Sequence, residues 1–132
     1  LFEEQILFNP DWIKHGDWER MSGYIQAEKI VKEGVTAIFC MNDLMAAGAY
    51  DYLYENNITV GQDISIVGYD NNEISEYLRP ALTTIDIPLK KIGKTAAEYF
   101  VKLLEDELDS NENQEIIKLQ CNMVIRESVR SI

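Results

Sequence analysis

Two apolar runs in the sequence end in carboxylates: "AIFCMND", closing at Asp43, and "ISIVGYD", closing at Asp70. A third stretch, "HGDW", sets Asp17 and Trp18 ahead of a helical pattern. Carboxylates accept hydrogen bonds from hydroxyls, and amides such as Asn42 and Asn71 both donate and accept. An indole plate covers the apolar C–H face of a sugar ring. Together these groups suit a neutral polyhydroxyl ligand. No phosphate-binding glycine loop or Walker lysine accompanies them. Each residue also has a plainer use. Asp43 and Asp17 suit helix N-caps, Asp70 suits an ordinary turn, and Trp18 suits core or dimer packing.

The elements that must position these groups alternate. "NPD" at Asn9, Pro10 and Asp11 signals a turn, and "WIKHGDW" is a short strand candidate. Tyr24, Ala27, Ile30 and Val31 share a helical face that Gly34 ends. "VTAIFC" is continuous and β-branched at its start, as in strands buried on both faces. The helix expected over 44–55 is apolar almost all round, so it buries more than one face. "ISIVGYD" and "LTTI" follow as strands, then a helix begun by Pro88 and running to Leu108, then the strand pair "IIKL" and "NMVIRESV". Alternation of this kind predicts an α/β domain with a mostly parallel sheet and helices on both faces. Ligands of such sheets lie beyond the C-terminal strand ends, where Trp18, Asn42, Asp43 and Asp70 fall.

Composition narrows the function. The chain has 132 residues, 46% hydrophobic and 27% charged, as expected of one globular domain. A net charge of −11, with twelve scattered basic residues, argues against this chain gripping nucleic acid. No apolar stretch is long enough to span a membrane. Cys40 and Cys121 read as buried free thiols, consistent with a reducing cytoplasm. The single His15 has only Asp17 near it at a ligand spacing, so no metal site is expected. No nucleophile elbow is present, and nothing sets Asp43 and Asp70 at a catalytic separation, so no enzyme and no cofactor are expected. The stretch from Glu105 to Glu115 carries six acidic residues and no base, and reads as a solvated helix end and loop. The start at Leu1, without a basic and apolar leader, is expected of a fragment.

The segments "GDWERMSGY", "TAIFCMNDLMAAGAYDYL", "DISIVGYDNNEISEYLRPALTTIDIP", "IGKTAAEYFVKLL" and "VIRESV" stand in order along nearly the whole chain. Read together, they resemble the lactose/galactose repressor (LacI/GalR) family of bacterial transcription regulators. The resemblance implies a type I periplasmic-binding-protein-like fold, two α/β subdomains around an effector cleft. This chain would supply the C-terminal portion: a subdomain core over 1–86, a crossover helix and acidic loop over 87–114, and returning strands over 115–132. The DNA-binding helix-turn-helix would lie outside it.

The resemblance also implies roles. Trp18 matches the aromatic that stacks on the effector. Asn42 matches an amide of sugar-binding members, where purine-binding relatives have glycine. Asp70 matches the carboxylate that bonds effector hydroxyls or ring nitrogens. Ile87 departs from the family, replacing a polar residue at the cleft hinge. Dimer contacts would fall at Met45, Ala49, Tyr52, Leu53, Ile74, Tyr77 and Leu78. The implied protein is a cytoplasmic homodimer that binds a small effector, expected to be a sugar, and touches DNA only through another domain. The runner-up is an extracytoplasmic sugar-binding protein of the same fold.

Overall fold

A computed structural model describes residues 8–105 and 116–130. Two compact units are distinguished, one of residues 1–86 with 123–132 and one of residues 87–122. The first holds helix α1 (Arg20–Val31), strand β1 (Ala37–Phe39), helix α2 (Asp43–Glu55), strand β2 (Ser65–Asp70), the short helix α3 (Ile74–Tyr77) and strand β3 (Thr83–Asp86). Helix α4 (Leu89–Leu104) belongs to the second, and strand β4 (Asn122–Val124) straddles the boundary. The sheet runs β1-β2-β3-β4. β1 pairs with β2 in parallel from Ala37↔Ser65 to Phe39↔Val67. β2 pairs with β3 in parallel from Val67↔Thr83 to Asp70↔Asp86.

The core of the first unit forms where the apolar runs meet. Ile38, Ile64, Ile66 and Leu82 from the sheet side pack with Ala46, Ala49, Tyr50 and Leu53 of α2. Helices α1 and α2 approach at small residues. An added Cβ at Gly48 would collide with the Arg20 carbonyl, and one at Gly23 with the Met45 backbone. An Arg20–Asp51 pair bridges the same helices through two hydrogen bonds of 2.7 Å. Cys40 is buried, and burial pushes its thiol up to about 12, so it is inert at neutral pH. Cys121 is only half-buried, unlike the buried thiol expected there.

Three sequence expectations change. "WIKHGDW" holds no strand. Asn9 caps a 3-10 turn, Pro10–Trp12, by accepting from the Asp11 N–H at 3.0 Å, with Pro10 preset for the first position. Of the expected terminal pair, only β4 forms among the described residues; "IIKL" is without strand structure and Ile116 and Ile117 are exposed. Helix α4 ends at Leu104, four residues short of expectation. The acidic run beyond Glu105 lies outside the described residues.

Candidate functional site

Asp70 ends β2 and pairs in register with Asp86, which ends β3. Asn42 follows β1 by three residues, so all three sit at the C-terminal end of the parallel strands. Asn42 is the N-cap of α2, and its Oδ1 accepts from the Met45 N–H at 2.7 Å. Its Nδ2 donates to the Trp18 carbonyl at 2.9 Å. One amide thus ties the start of α2 to the loop that carries the indole. Trp18 has φ +74° and is 60% exposed, so much of its side chain is open to solvent. Among the described residues Asp70 receives no side-chain hydrogen bond at its carboxylate. Its backbone is also left-handed, φ +106°, and burial pushes its carboxyl above the usual aspartate range.

Asp43 behaves differently from either sequence reading. It is the first residue of α2 rather than its cap, and it is buried. Its carboxylate accepts from the Thr84 hydroxyl at 2.6 Å and from the Asn72 N–H at 2.7 Å. Burial raises its carboxyl, these two hydrogen bonds oppose the rise, and the charge of Asp70 adds to it. The carboxylate fastens the loop after β2 from below. Gly68 makes room for it, since an added Cβ there would strike the Asp43 carboxylate and sit 2.8 Å from Leu82.

Sequence reasoning placed Asn71 at the rim but missed two residues that hold it, Asp86 and Arg126. Asn71, at φ +56°, donates from Nδ2 to Asp86 Oδ1 at 3.0 Å and accepts from Arg126 at 3.0 Å. Arg126 stands 55 residues downstream, a separation no local pattern reveals. "VIRESV" was a signal only as a segment: Ser128 inside it donates to the Ile66 carbonyl at 2.6 Å and accepts from the Thr83 N–H at 2.8 Å.

The residues expected at a dimer contact separate into two groups. Leu53 is 0% exposed and Ala49 is buried, so both are core residues with no surface to offer a second chain. Met45, Tyr52 and Leu78 are half-buried against that core, Tyr52 with its ring edge-on to Tyr24 at 5.5 Å. Ile74 is half-buried and Tyr77 exposed. Tyr77 and Leu78 line an open groove of ≈ 510 Å³ with Tyr54 and Arg79.

The family model for the periplasmic binding protein-like domain matches residues 3–129. The chain belongs to that family. It is 40% identical over 134 residues to the HTH-type transcriptional repressor PurR of Aliivibrio salmonicida, covering 100% of this chain and 39% of the relative. The PurR repressor of Vibrio parahaemolyticus is 39% identical with the same coverage. Among solved structures, the chain is similar to the Lac repressor dimer bound to operator and the anti-inducer ONPF, at 34% identity and TM-score 0.77, over 88% of this chain and 40% of that one. It is also similar to a LacI-family regulatory protein of Chloroflexus aggregans, at 27% identity and TM-score 0.86, over 97% of this chain and 46% of that one. The chain therefore spans about two fifths of the length of the curated relatives it matches. The expected resemblance to the LacI/GalR family holds, as does the α/β, periplasmic-binding-protein-like fold. These relatives are transcriptional repressors rather than enzymes. Among the described residues no helix is long and apolar enough to cross a membrane.

Proposed function

We propose that this chain is the C-terminal part of the effector-binding and dimerisation core of a cytoplasmic bacterial transcription regulator. Its DNA contacts would come from a domain outside the chain. The observation that carries the reading is the placing of Trp18, Asn42 and Asp70 at one end of a parallel sheet, the indole exposed and the carboxylate unengaged by any described residue. An effector that fits better when its cleft is closed biases the relation of two subdomains, and so the DNA affinity elsewhere. Coupling of this kind is worth about 1–3 kcal/mol. Residues 87–114 carry the connection to the other subdomain. Met45, Tyr52, Ile74, Tyr77 and Leu78 contribute to a dimer contact; a monomer at high concentration in sedimentation equilibrium would remove that assignment. The repressor relatives leave the extracytoplasmic binding protein without support.

The effector is a sugar on the strength of Asn42, whose amide offers both a donor and an acceptor at the rim. A purine is the second reading, favoured by the 40% identity to a repressor named PurR. The test is a tryptophan-fluorescence titration of the full-length protein with ribose, cellobiose, adenine and guanine. A saturable change with one sugar, lost in Trp18→Ala and in Asp70→Ala, is expected. A response to purines alone removes the sugar, and unchanged affinity in Asp70→Ala removes the site.

A further inference from the structure

Arg126 lies far from Asp70 in sequence but is built into the loop that follows it. Its main chain is anchored on β3: its N–H donates to Thr83 Oγ1 at 2.9 Å, and the Thr83 hydroxyl donates to its carbonyl at 3.1 Å. Its side chain is 15% exposed. One guanidinium nitrogen donates to Ser75 Oγ at 3.1 Å and to the Leu82 carbonyl at 2.8 Å. The other donates to Asn71 Oδ1 at 3.0 Å and to Glu76 at 3.3 Å.

Asn71 is thereby oriented by charge. Arg126 presents only donors and Asp86 only acceptors, so the Asn71 amide has one admissible direction: oxygen toward Arg126, nitrogen toward Asp86. The backbone it holds is unusual. Asp70 and Asn71 are consecutive non-glycine residues at φ +106° and +56°. Such conformations cost on the order of 1–3 kcal/mol each and persist only where the surroundings fix them. The clamp on Asn71, with the Asp43 bond to the Asn72 N–H, supplies that fixing. Released, residues 70 and 71 relax toward negative φ, and the Asp70 carboxylate turns with them.

We propose that Arg126, acting through the Asn71 amide and its bond to Asp86, is the positioning residue that aims Asp70 at the effector. The assignment rests on the reading of Asp70 as an effector contact. Arg126→Ala risks the fold itself, so the test exchanges the two partners of the amide instead. In Asn71→Asp a carboxylate faces Asp86 and repels it. In Asn71→Asp with Asp86→Asn the acceptor toward Arg126 and the donor–acceptor pair beyond it are both restored, with the net charge unchanged.

The full-length protein is titrated with ribose, cellobiose, adenine and guanine, and its melting temperature and the hydrogen exchange of the Asn72 amide are followed in each variant. The single change is expected to weaken effector binding about tenfold or more, the effect of losing one charged hydrogen bond. It also speeds Asn72 exchange, and the exchanged pair recovers both. Weakened binding in Asp70→Ala but not in Asn71→Asp overturns the assignment alone. So does an exchanged pair that regains its melting temperature without its affinity, since residue 71 or 86 would then touch the effector directly. Unchanged affinity in Asp70→Ala removes the reading beneath it, and the assignment with it.

Discussion

Helices α2 and α4 are both rich in apolar residues, yet α2 buries seven residues and α4 buries none. The difference lies in how the apolar residues are distributed. Those of α2 run nearly all round the helix, and the chain itself surrounds them with α1, β2 and α3. Those of α4 keep to a stripe, with Leu89, Ile92, Phe100 and Leu104 exposed and lysines on the other face. All-round apolarity marks an interior helix, whereas a stripe marks a helix with one face to cover. The first is satisfied by neighbours close in sequence, and the second says nothing about what does the covering.

The largest effect should come from adding a single methyl to α2. Gly48→Ala drives a Cβ into the Arg20 carbonyl, and the Tyr24 N–H stands only 2.7 Å away. Backbone cannot step aside as the end of a flexible side chain does, so α1 and α2 must separate. Overpacking of this kind costs about 1–3 kcal/mol or more. Urea unfolding should show a lower midpoint. An unchanged midpoint would mean that the close packing of α1 on α2 contributes little.

A smaller effect concerns the carboxylate that α2 buries at its start. The Asp43 carboxyl is held above the ordinary aspartate value of 3.8, chiefly by burial. The folded chain therefore binds that proton more tightly than the unfolded chain. The contribution is fully present below the unfolded value and is lost as pH rises through the raised folded one. Asp43→Asn keeps an acceptor for Asn72 and a donor for Thr84 but cannot titrate. Melting temperatures compared between pH 4 and 7 should show wild type losing ground to this variant as pH rises. A constant difference would mean that the two hydrogen bonds cancel the cost of burial. Asp70 is raised by burial, a cause that Asp43→Asn leaves in place.

What the sequence made legible follows the same division. The helix expected over 44–55 is α2 with one residue added, because an apolar helix between two β-branched runs is a local pattern. β1, β2 and β3 were legible for the same reason, and with them the ends of β1 and β2 at which Asn42 and Asp70 sit. The clamp on Asn71 was not legible. Its partners, Asp86 and Arg126, come from chain 15 and 55 residues away, and only the parallel register and the returning segment bring them together. Leu53 was misplaced at a dimer surface because an all-round apolar helix does not say which of its faces the chain itself will cover. "WIKHGDW" was misread because its aromatic and β-branched ends resemble a strand, while Asn9 and Pro10 just before it had already set a turn.

The smallest effect runs in the opposite direction to the first, from the same substitution on the other helix. Gly93 lies inside α4, and a Cβ added there meets no described atom within 4 Å. Glycine in a helix interior costs about 0.5–1 kcal/mol relative to alanine, through the extra freedom of the unfolded chain. Gly93→Ala should therefore raise helicity at 222 nm and stability by no more than that amount. A loss of stability would mean that residue 93 is packed against something in the folded protein. That result would place a packing neighbour on the apolar stripe of α4, since Leu89, four residues before the glycine, and Ala96, three after it, adjoin it on the helix surface. A gain leaves the Leu89, Ile92, Phe100 and Leu104 stripe open around residue 93, and makes the contrast in sign with Gly48 a direct measure of how differently the two helices are surrounded.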